Sequence, residues 1–143
     1  MRYEEWIDTL KQLENSNKEE LLNKVINSEY NENINAMLED HIVETIKIKF
    51  QKAINKIVKN LEDIFFNVNN LDMYLVNYRK EISFIERLIK IKQLKLEKQK
   101  ELKDMIKEET TKVYEILIKE ANIEDPTGLN ALTIKNNQIK WSD

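Results

Sequence analysis

Residues 38–68, which read LEDHIVETIKIKFQKAINKIVKNLEDIFFNV, decide the fold. Their apolar side chains recur at steps of four and three residues, at Leu38, Ile42, Ile46, Phe50, Ile54, Ile57, Leu61, Ile64 and Val68. Steps of four and three bracket the 3.6 residues of a helical turn, so these side chains lie on one face of an α-helix. We therefore predict one long helix over 34–68.

A second series with the same spacing follows a polar break at Asn67, Asn69 and Asn70. Its apolar positions are Leu71, Leu75, Tyr78, Ile82, Ile85 and Ile89. We predict a second long helix over 71–121, with a solvated stretch at 92–103, that ends before Pro126. Two long amphipathic helices joined by a short link typically form an antiparallel, coiled-coil-like hairpin. Because the link contains no Gly or Pro, one continuous helix over 34–121 that dimerises along its length is the alternative.

Residues 1–30 carry two shorter apolar series. The first comprises Tyr3, Trp6, Ile7, Leu10 and Leu13, and the second comprises Leu21, Leu22, Val25 and Ile26. We predict two short helices that pack at the open end of the hairpin, where the second long helix extends past the first. The apolar face expected there consists of Ile106, Val113, Ile116 and Leu117. Residues 1–124 are thus predicted to form one all-α domain.

The segment 125–143 follows a different pattern. Its apolar residues alternate with polar ones on both sides of residues 136–137, at Leu132, Ile134, Ile139 and Trp141. Alternation around two turn-forming residues predicts a β-hairpin over 132–141. Because an isolated two-stranded hairpin is marginally stable in water, a disordered tail is the other interpretation.

The composition favours helices and a reducing compartment. The chain has one Gly and one Pro, which turns and hairpins normally use freely, and its lack of Cys excludes disulfides and Cys-ligated zinc. The N-terminus is acidic and amphipathic, whereas a secretory signal begins with a basic region followed by an apolar one. No stretch reaches the ~20 apolar residues of a membrane span. We therefore expect a cytoplasmic protein without membrane contact.

The residue pattern gives little support to catalytic or metal chemistry. His41 is the only histidine, whereas a ferritin-like di-metal site needs Glu-x-x-His on two helices. A mononuclear site of His41, Glu44 and a carboxylate across the bundle is conceivable, but a solvated or boundary histidine is the simpler interpretation. No Ser, Thr or Lys lies in a recognisable nucleophile motif, and no Gly-rich loop could bind a phosphate. We expect no enzyme activity, no cofactor and no small-molecule substrate.

Aromatic residues around the predicted turn form a candidate protein-binding site. Phe65 and Phe66 are neighbours and cannot both face the partner helix, while Tyr74 and Tyr78 lie across the turn. Trp141 in the tail is a further candidate. Exposed apolar patches often mark interaction sites. The leading hypothesis is a non-catalytic adaptor or scaffold that binds an unidentified protein partner and associates with itself as a homo-oligomer.

Charge is unevenly distributed along the chain. Residues 1–44 are strongly acidic, whereas 45–60 contain five lysines and no acid, so the two regions could attract each other between protomers. A candidate nucleic-acid-binding stripe consists of Lys47, Lys49, Lys52, Lys56, Lys59, Arg79, Lys80, Arg87, Lys90 and Lys92. A lysine-rich rod can bind a phosphate backbone by counterion release. A nucleic-acid-associated accessory protein is therefore the alternative function, and a chaperone for an export or assembly client is the third.

Overall fold

Helices are the regular secondary structure of the computed structural model, which describes residues 1–30, 35–124 and Ile134. They are α1 (Tyr3–Leu13), α2 (Glu19–Ile26), α3 (Asn35–Val58), α4 (Leu61–Phe66), α5 (Val68–Leu88) and α6 (Leu96–Glu124). The predicted all-α class is confirmed for these residues. In the described ranges, no helix combines the length and the apolar composition needed to cross a bilayer.

The chain forms two compact units, and neither of them is a single continuous stretch of the sequence. The first unit contains residues 1–51 and 82–104, and the second contains 52–81 and 105–143. Helices α1 and α2 belong to the first unit and α4 belongs to the second, whereas α3, α5 and α6 contribute residues to both. Each unit therefore combines two segments that are separated in sequence.

Helix α1 packs in the first unit through Trp6, Leu10 and Leu13, which are all buried. Steps of four and three residues place them on one face of the helix. The end of α1 is capped by Lys49 of α3, whose Nζ donates to the carbonyl oxygen of Leu13 at 2.6 Å and to Oδ1 of Asn17 at 2.7 Å. The last carbonyls of a helix lack partners within it, and a cation is favourable there. Lys49 therefore fixes the point at which α1 ends.

The two short helices predicted over 1–30 are found as α1 and α2, and the hydrogen bonds described for 19–29 lie within the first unit. Both carboxylate oxygens of Glu19 accept hydrogen bonds from the guanidinium of Arg87 at 2.6 Å. Nε2 of Gln93 donates to the carbonyl oxygen of Glu29 at 2.8 Å. The face expected to receive the short helices, at Ile106, Val113, Ile116 and Leu117, belongs to the second unit. Within the first unit, these hydrogen bonds join 19–29 to 82–104.

The predicted helix over 71–121 is wrong in its middle, because α5 ends at Leu88 and α6 begins at Leu96. The residues around this break are largely buried, at Leu88, Ile89, Ile91, Gln93 and Leu94. Adjacent positions of a helix point about 100° apart, so a continuous helix could not bury them all on one side. Oε2 of the buried Glu39 accepts a hydrogen bond from the backbone N–H of Lys95 at 2.9 Å. In the expected solvated stretch at 92–103, Gln93, Leu94 and Leu102 are buried, whereas the other residues are exposed or half-buried.

Within the first unit, α3 and the segment 82–95 run antiparallel. Nζ of Lys49 lies 4.9 Å from the centre of the Phe84 ring, and Glu39, ten residues earlier, contacts Lys95, eleven residues later. The N-terminal part of α3 therefore lies beside the C-terminal part of 82–95, as expected for antiparallel segments. These contacts concern the first unit alone, and a hairpin over the whole of 34–121 stays a prediction.

Two asparagines break the predicted helix over 34–68 and separate it from α5. Nδ2 of Asn60 donates to the carbonyl oxygen of Lys56 at 2.7 Å, just after the end of α3. Asn67 has an extended backbone with φ −148° and ψ 136°, and its Oδ1 accepts a hydrogen bond from the N–H of Asn69 at 2.9 Å. Asn67 is therefore the N-cap of α5. Because the helical backbone stops at this residue, the alternative of one continuous helix over 34–121 is wrong.

The tail beyond α6 falls mostly outside the described residues. Helix α6 runs to Glu124, close to the stop predicted from Pro126. The predicted β-hairpin over 132–141 lies outside the described residues except for Ile134, which is fully buried.

Candidate protein-binding groove

The second unit carries a surface groove between α4 and the last two turns of α6. Its volume is about 370 Å³, and its lining consists of Leu61, Glu62, Phe65, Phe66, Glu120 and Glu124. We call this site the Phe66 groove. The Phe66 side chain is 86% exposed, more than any other large apolar side chain in the described ranges. The groove thus combines an apolar surface with three carboxylates.

Helical geometry explains why the two phenylalanines differ in exposure. Ile64 of α4 is fully buried, and each following residue is rotated by about 100° around the helix. Phe65 is therefore half-buried in the wall of the groove, while Phe66 is turned toward solvent. Because α4 ends at Phe66 and Asn67 is extended, no further turn of the same helix covers the ring.

The acidic side chains of the groove are in unfavourable positions for the stability of α6 itself. Glu120 and Glu124 are four residues apart and share a helix face, so their charges repel. They also lie near the helix C-terminus, where the helix dipole favours cations. The groove lining contains no Ser, Thr, Lys or His side chain that could act as a nucleophile with one of these carboxylates as its base. The arrangement is suited to binding a cationic, apolar group.

Tyr74, one of the predicted binding residues, braces the wall of the groove from α5. Its hydroxyl donates to Oδ2 of Asp63 at 2.7 Å, and this hydrogen bond to a carboxylate raises the pKa of Tyr74. Nδ2 of Asn70 donates to the carbonyl oxygen of the same Asp63 at 2.8 Å. These two bonds hold α5 against α4 and so position Phe65 and Phe66.

Tyr78 is not a surface residue, which corrects its assignment to the binding site. It lies on the same face of α5 as Leu71 and Leu75 and is buried with them. Its hydroxyl is 2.8 Å from Oγ1 of Thr110 on α6. Burial is the main cause that raises the pKa of Tyr78 to about 12. Tyr78 therefore belongs to the core of the second unit.

The buried Tyr78 predicts a specific loss of stability at high pH. An unfolded tyrosine ionises near pH 10, whereas the folded chain keeps this phenol neutral up to about pH 12. The stabilisation that Tyr78 provides is thus fully present below the pKa of the unfolded state, and it is lost as the pH rises through the pKa of the folded state. We expect the free energy of unfolding to fall by roughly 2.5 kcal/mol at most from this group. Urea unfolding of the wild type and of Tyr78→Phe between about pH 9 and about pH 12 measures it. Parallel pH profiles for the two proteins would contradict the assignment.

The predicted nucleic-acid stripe is divided between the two units. Residues 47, 49, 87, 90 and 92 belong to the first unit, and residues 52, 56, 59, 79 and 80 belong to the second. Lys49 is only 4% exposed and its Nζ is held by α1, so it cannot reach a phosphate and is removed from the stripe. Arg87 forms the paired hydrogen bonds with Glu19 that lower the pKa of that carboxyl.

The remaining predicted cations vary in their setting. Arg79 is half-buried, and its Nε donates to the carbonyl oxygen of Leu75 at 3.4 Å. The others are exposed, at Lys47, Lys52, Lys56, Lys59, Lys80, Lys90 and Lys92. Trp141, the last of the predicted protein-binding residues, lies outside the described residues.

His41, the residue considered for a metal site, is exposed at the surface of the first unit. Its ring meets the ring of Tyr3 edge-on, with 6.1 Å between the ring centres. Among residues 1–30 and 35–124, no three His, Asp or Glu side chains are grouped in a way that could hold a metal ion.

Sequence reasoning identified Phe65 and Phe66 but missed the acidic side of the groove. Glu120 and Glu124 are far from the two phenylalanines in sequence, and only the packing of α4 against α6 brings them together. One signal for them was available, since two acids in the last turns of a helix oppose its dipole. No protein-family model, no curated protein and no solved structure matches this chain.

Proposed function

We propose that this chain is a non-catalytic helical interaction or assembly protein and that the Phe66 groove is its binding surface. One observation carries the proposal, namely a phenylalanine that is 86% exposed beside a groove of about 370 Å³. Burying a phenylalanine side chain is worth about 1.5–3 kcal/mol, which this chain does not gain on folding. A partner that covers the ring would gain that free energy, as aromatic anchors do at the centres of protein interfaces.

The composition of the groove supports protein binding over other uses. Protein interfaces typically place apolar and aromatic side chains at the centre and polar side chains at the edge. The Phe66 groove follows this pattern, with Leu61, Phe65 and Phe66 beside the carboxylates Glu62, Glu120 and Glu124. Its acids would repel a phosphate backbone and attract a cationic partner.

The nucleic-acid alternative has less support than the sequence suggested. Lys49 is buried against α1, and the guanidinium of Arg87 is engaged by Glu19. Arginine is the side chain best suited to bidentate phosphate and base contacts, and it is scarce in this chain. The exposed lysines that remain suit a weak, salt-sensitive contact with phosphates.

Photocrosslinking from position 66 tests the proposal. A photoreactive phenylalanine analogue at Phe66 keeps an aromatic ring in the groove and forms covalent bonds only with a molecule seated there. We expect a discrete protein adduct after illumination in cells, and we expect nuclease treatment to leave it intact. The matched control places the analogue at Met73, which is 51% exposed in the same unit but does not line the groove.

Two outcomes of this experiment would contradict the proposal. The first is the absence of a protein adduct from position 66, since a protein seated in the groove lies within reach of the analogue. The second is an equal set of adducts from positions 66 and 73, which would indicate random encounters. An adduct that disappears with nuclease would favour the nucleic-acid alternative.

A further inference from the structure

The first unit exposes a second apolar side chain, and its charged surroundings are opposite to those of the groove. Leu96, the first residue of α6, is 81% exposed. Lys100 and Lys103 follow it at steps of four and three residues, so they share its helix face, while the buried Leu102 faces away. Four exposed lysines lie near the leucine in sequence, at Lys92, Lys95, Lys100 and Lys103, and they outnumber the exposed acids of the same stretch, Glu97, Glu101 and Asp104. We call Leu96 and these four lysines the Leu96 knob.

We infer that the Phe66 groove of one copy of this chain receives the Leu96 knob of a second copy. This inference rests on the proposed function, because it names the partner of the same groove. Both surfaces are apolar at the centre, with Phe66 on one and Leu96 on the other. Both are charged at the edge, with three carboxylates on one and four lysines on the other. Complementary apolar and charged surfaces of this kind select partners and speed their association.

The groove is matched to the knob in size and in charge. A volume of about 370 Å³ exceeds that of a single leucine side chain and leaves room for the stems of neighbouring lysines. The lysine ammonium groups would then lie near Glu62, Glu120 and Glu124. Such pairing would also offset the unfavourable position of Glu120 and Glu124 near the C-terminus of their own helix.

This contact determines the kind of assembly. The groove and the knob are different surfaces, so the contact is heterologous, and each copy offers one groove and one knob. Further copies can add until a ring closes or an open chain forms. The average mass should therefore rise with protein concentration above that of the monomer. It should fall as salt is added, because the charged groups on both surfaces are exposed.

A pair of complementary variants tests the inference by sedimentation velocity. Phe66→Asp disables the groove and leaves the knob, whereas Leu96→Asp disables the knob and leaves the groove. Both residues are exposed, so both variants should fold, which far-UV circular dichroism and urea unfolding verify. We expect each variant alone to associate at least about tenfold more weakly than the wild type. An equimolar mixture should form a heterodimer that does not grow, because it contains one intact groove and one intact knob per pair.

Charge reversal provides a second, independent pair of variants. Glu120→Lys with Glu124→Lys makes the groove basic, and Lys100→Glu with Lys103→Glu makes the knob acidic. Each double variant alone should lose association, since its own groove and knob then carry the same charge. Mixing the two restores both kinds of complementary contact, so we expect assemblies that contain both variants.

The control variant is Met73→Asp, which adds a charge at an exposed apolar residue outside both surfaces and should associate like the wild type.

A wild type that stays monomeric over its soluble range overturns the inference. So does a mixture of Phe66→Asp and Leu96→Asp that yields no heterodimer. If Phe66→Asp is monomeric while Leu96→Asp associates normally, the groove binds protein but not the knob, so the proposed function stands and this inference fails. If position 66 also gives no adduct in cells, both fail.

Discussion

Replacing Lys49 by alanine is expected to lower the free energy of unfolding by about 4 kcal/mol. The substitution removes a side chain that is 4% exposed and whose Nζ donates to Leu13 and Asn17. It leaves the carbonyl oxygen at the end of α1 without its hydrogen-bond donor, and a buried acceptor without a donor lowers the stability of the folded state. It also removes the cation from the face of the Phe84 ring and leaves a cavity beside it. Urea unfolding followed by circular dichroism measures the change.

Two further variants separate the causes of this effect. Lys49→Met retains most of the stem and loses only the ammonium, so it should cost about half as much as Lys49→Ala. Lys47→Ala removes a neighbouring lysine that is exposed, and its effect should stay within about 0.5 kcal/mol. If Lys49→Ala also stayed within about 0.5 kcal/mol, Lys49 would not be the buried cap of α1.

Replacing Glu39 by alanine should lower the free energy of unfolding by about 3 kcal/mol. Glu39 is buried in the first unit, and its Oε2 accepts the hydrogen bond of the Lys95 backbone N–H at the start of α6. In a capping box, a side chain of the same helix accepts this bond, but here Glu39 reaches it from α3. Alanine leaves the N–H without its partner and opens a cavity. Urea unfolding again gives the size of the loss.

The prediction for Glu39 has a matched conservative variant and a matched neighbour. Glu39→Gln keeps an oxygen that can accept from Lys95, so it should recover at least half of the loss. Asp40→Ala changes an adjacent exposed acid and should have almost no effect. Amide exchange at residues 96–99 should accelerate in Glu39→Ala, since the start of α6 would open more readily. Unchanged exchange there would contradict the proposed role of Glu39.

Apolar spacing was sufficient to predict the helices but not where they end. The series from Leu38 to Ile57 defines α3, and the series in 1–30 defines α1 and α2. The break between Leu88 and Leu96 was missed because the residues there are good helix formers, chiefly Ile, Leu, Lys and Gln, and include no Gly, Pro or capping side chain. A carboxylate from another helix, Glu39, replaces the missing local cap. A hydrogen bond between residues so far apart in sequence cannot be predicted from the residues around the break.

Charge patterns in the sequence were less informative than apolar ones. Lys49 was grouped with the exposed lysines around it, but its neighbours in space are the end of α1 and Phe84. The sequence predicted that one of Phe65 and Phe66 lies off the packed face, because adjacent helical residues diverge by about 100°, and the structure shows that it is Phe66. Its acidic partners in the groove depend on how α4 meets α6, which spacing along one helix cannot indicate.

The central claim, that the chain works by binding protein through the Phe66 groove, is tested most directly by affinity purification from the cells that naturally make it. The tagged wild type and Phe66→Asp are purified in parallel, with and without nuclease, and all retained protein and nucleic acid is identified. We expect the wild type to retain a defined protein regardless of nuclease, and we expect Phe66→Asp to lose it. Untagged copies of the chain, which the intact Leu96 knob of Phe66→Asp can still bind, should be reduced rather than lost. Retention of nucleic acid that disappears with nuclease, or a protein retained equally by Phe66→Asp, would contradict the claim.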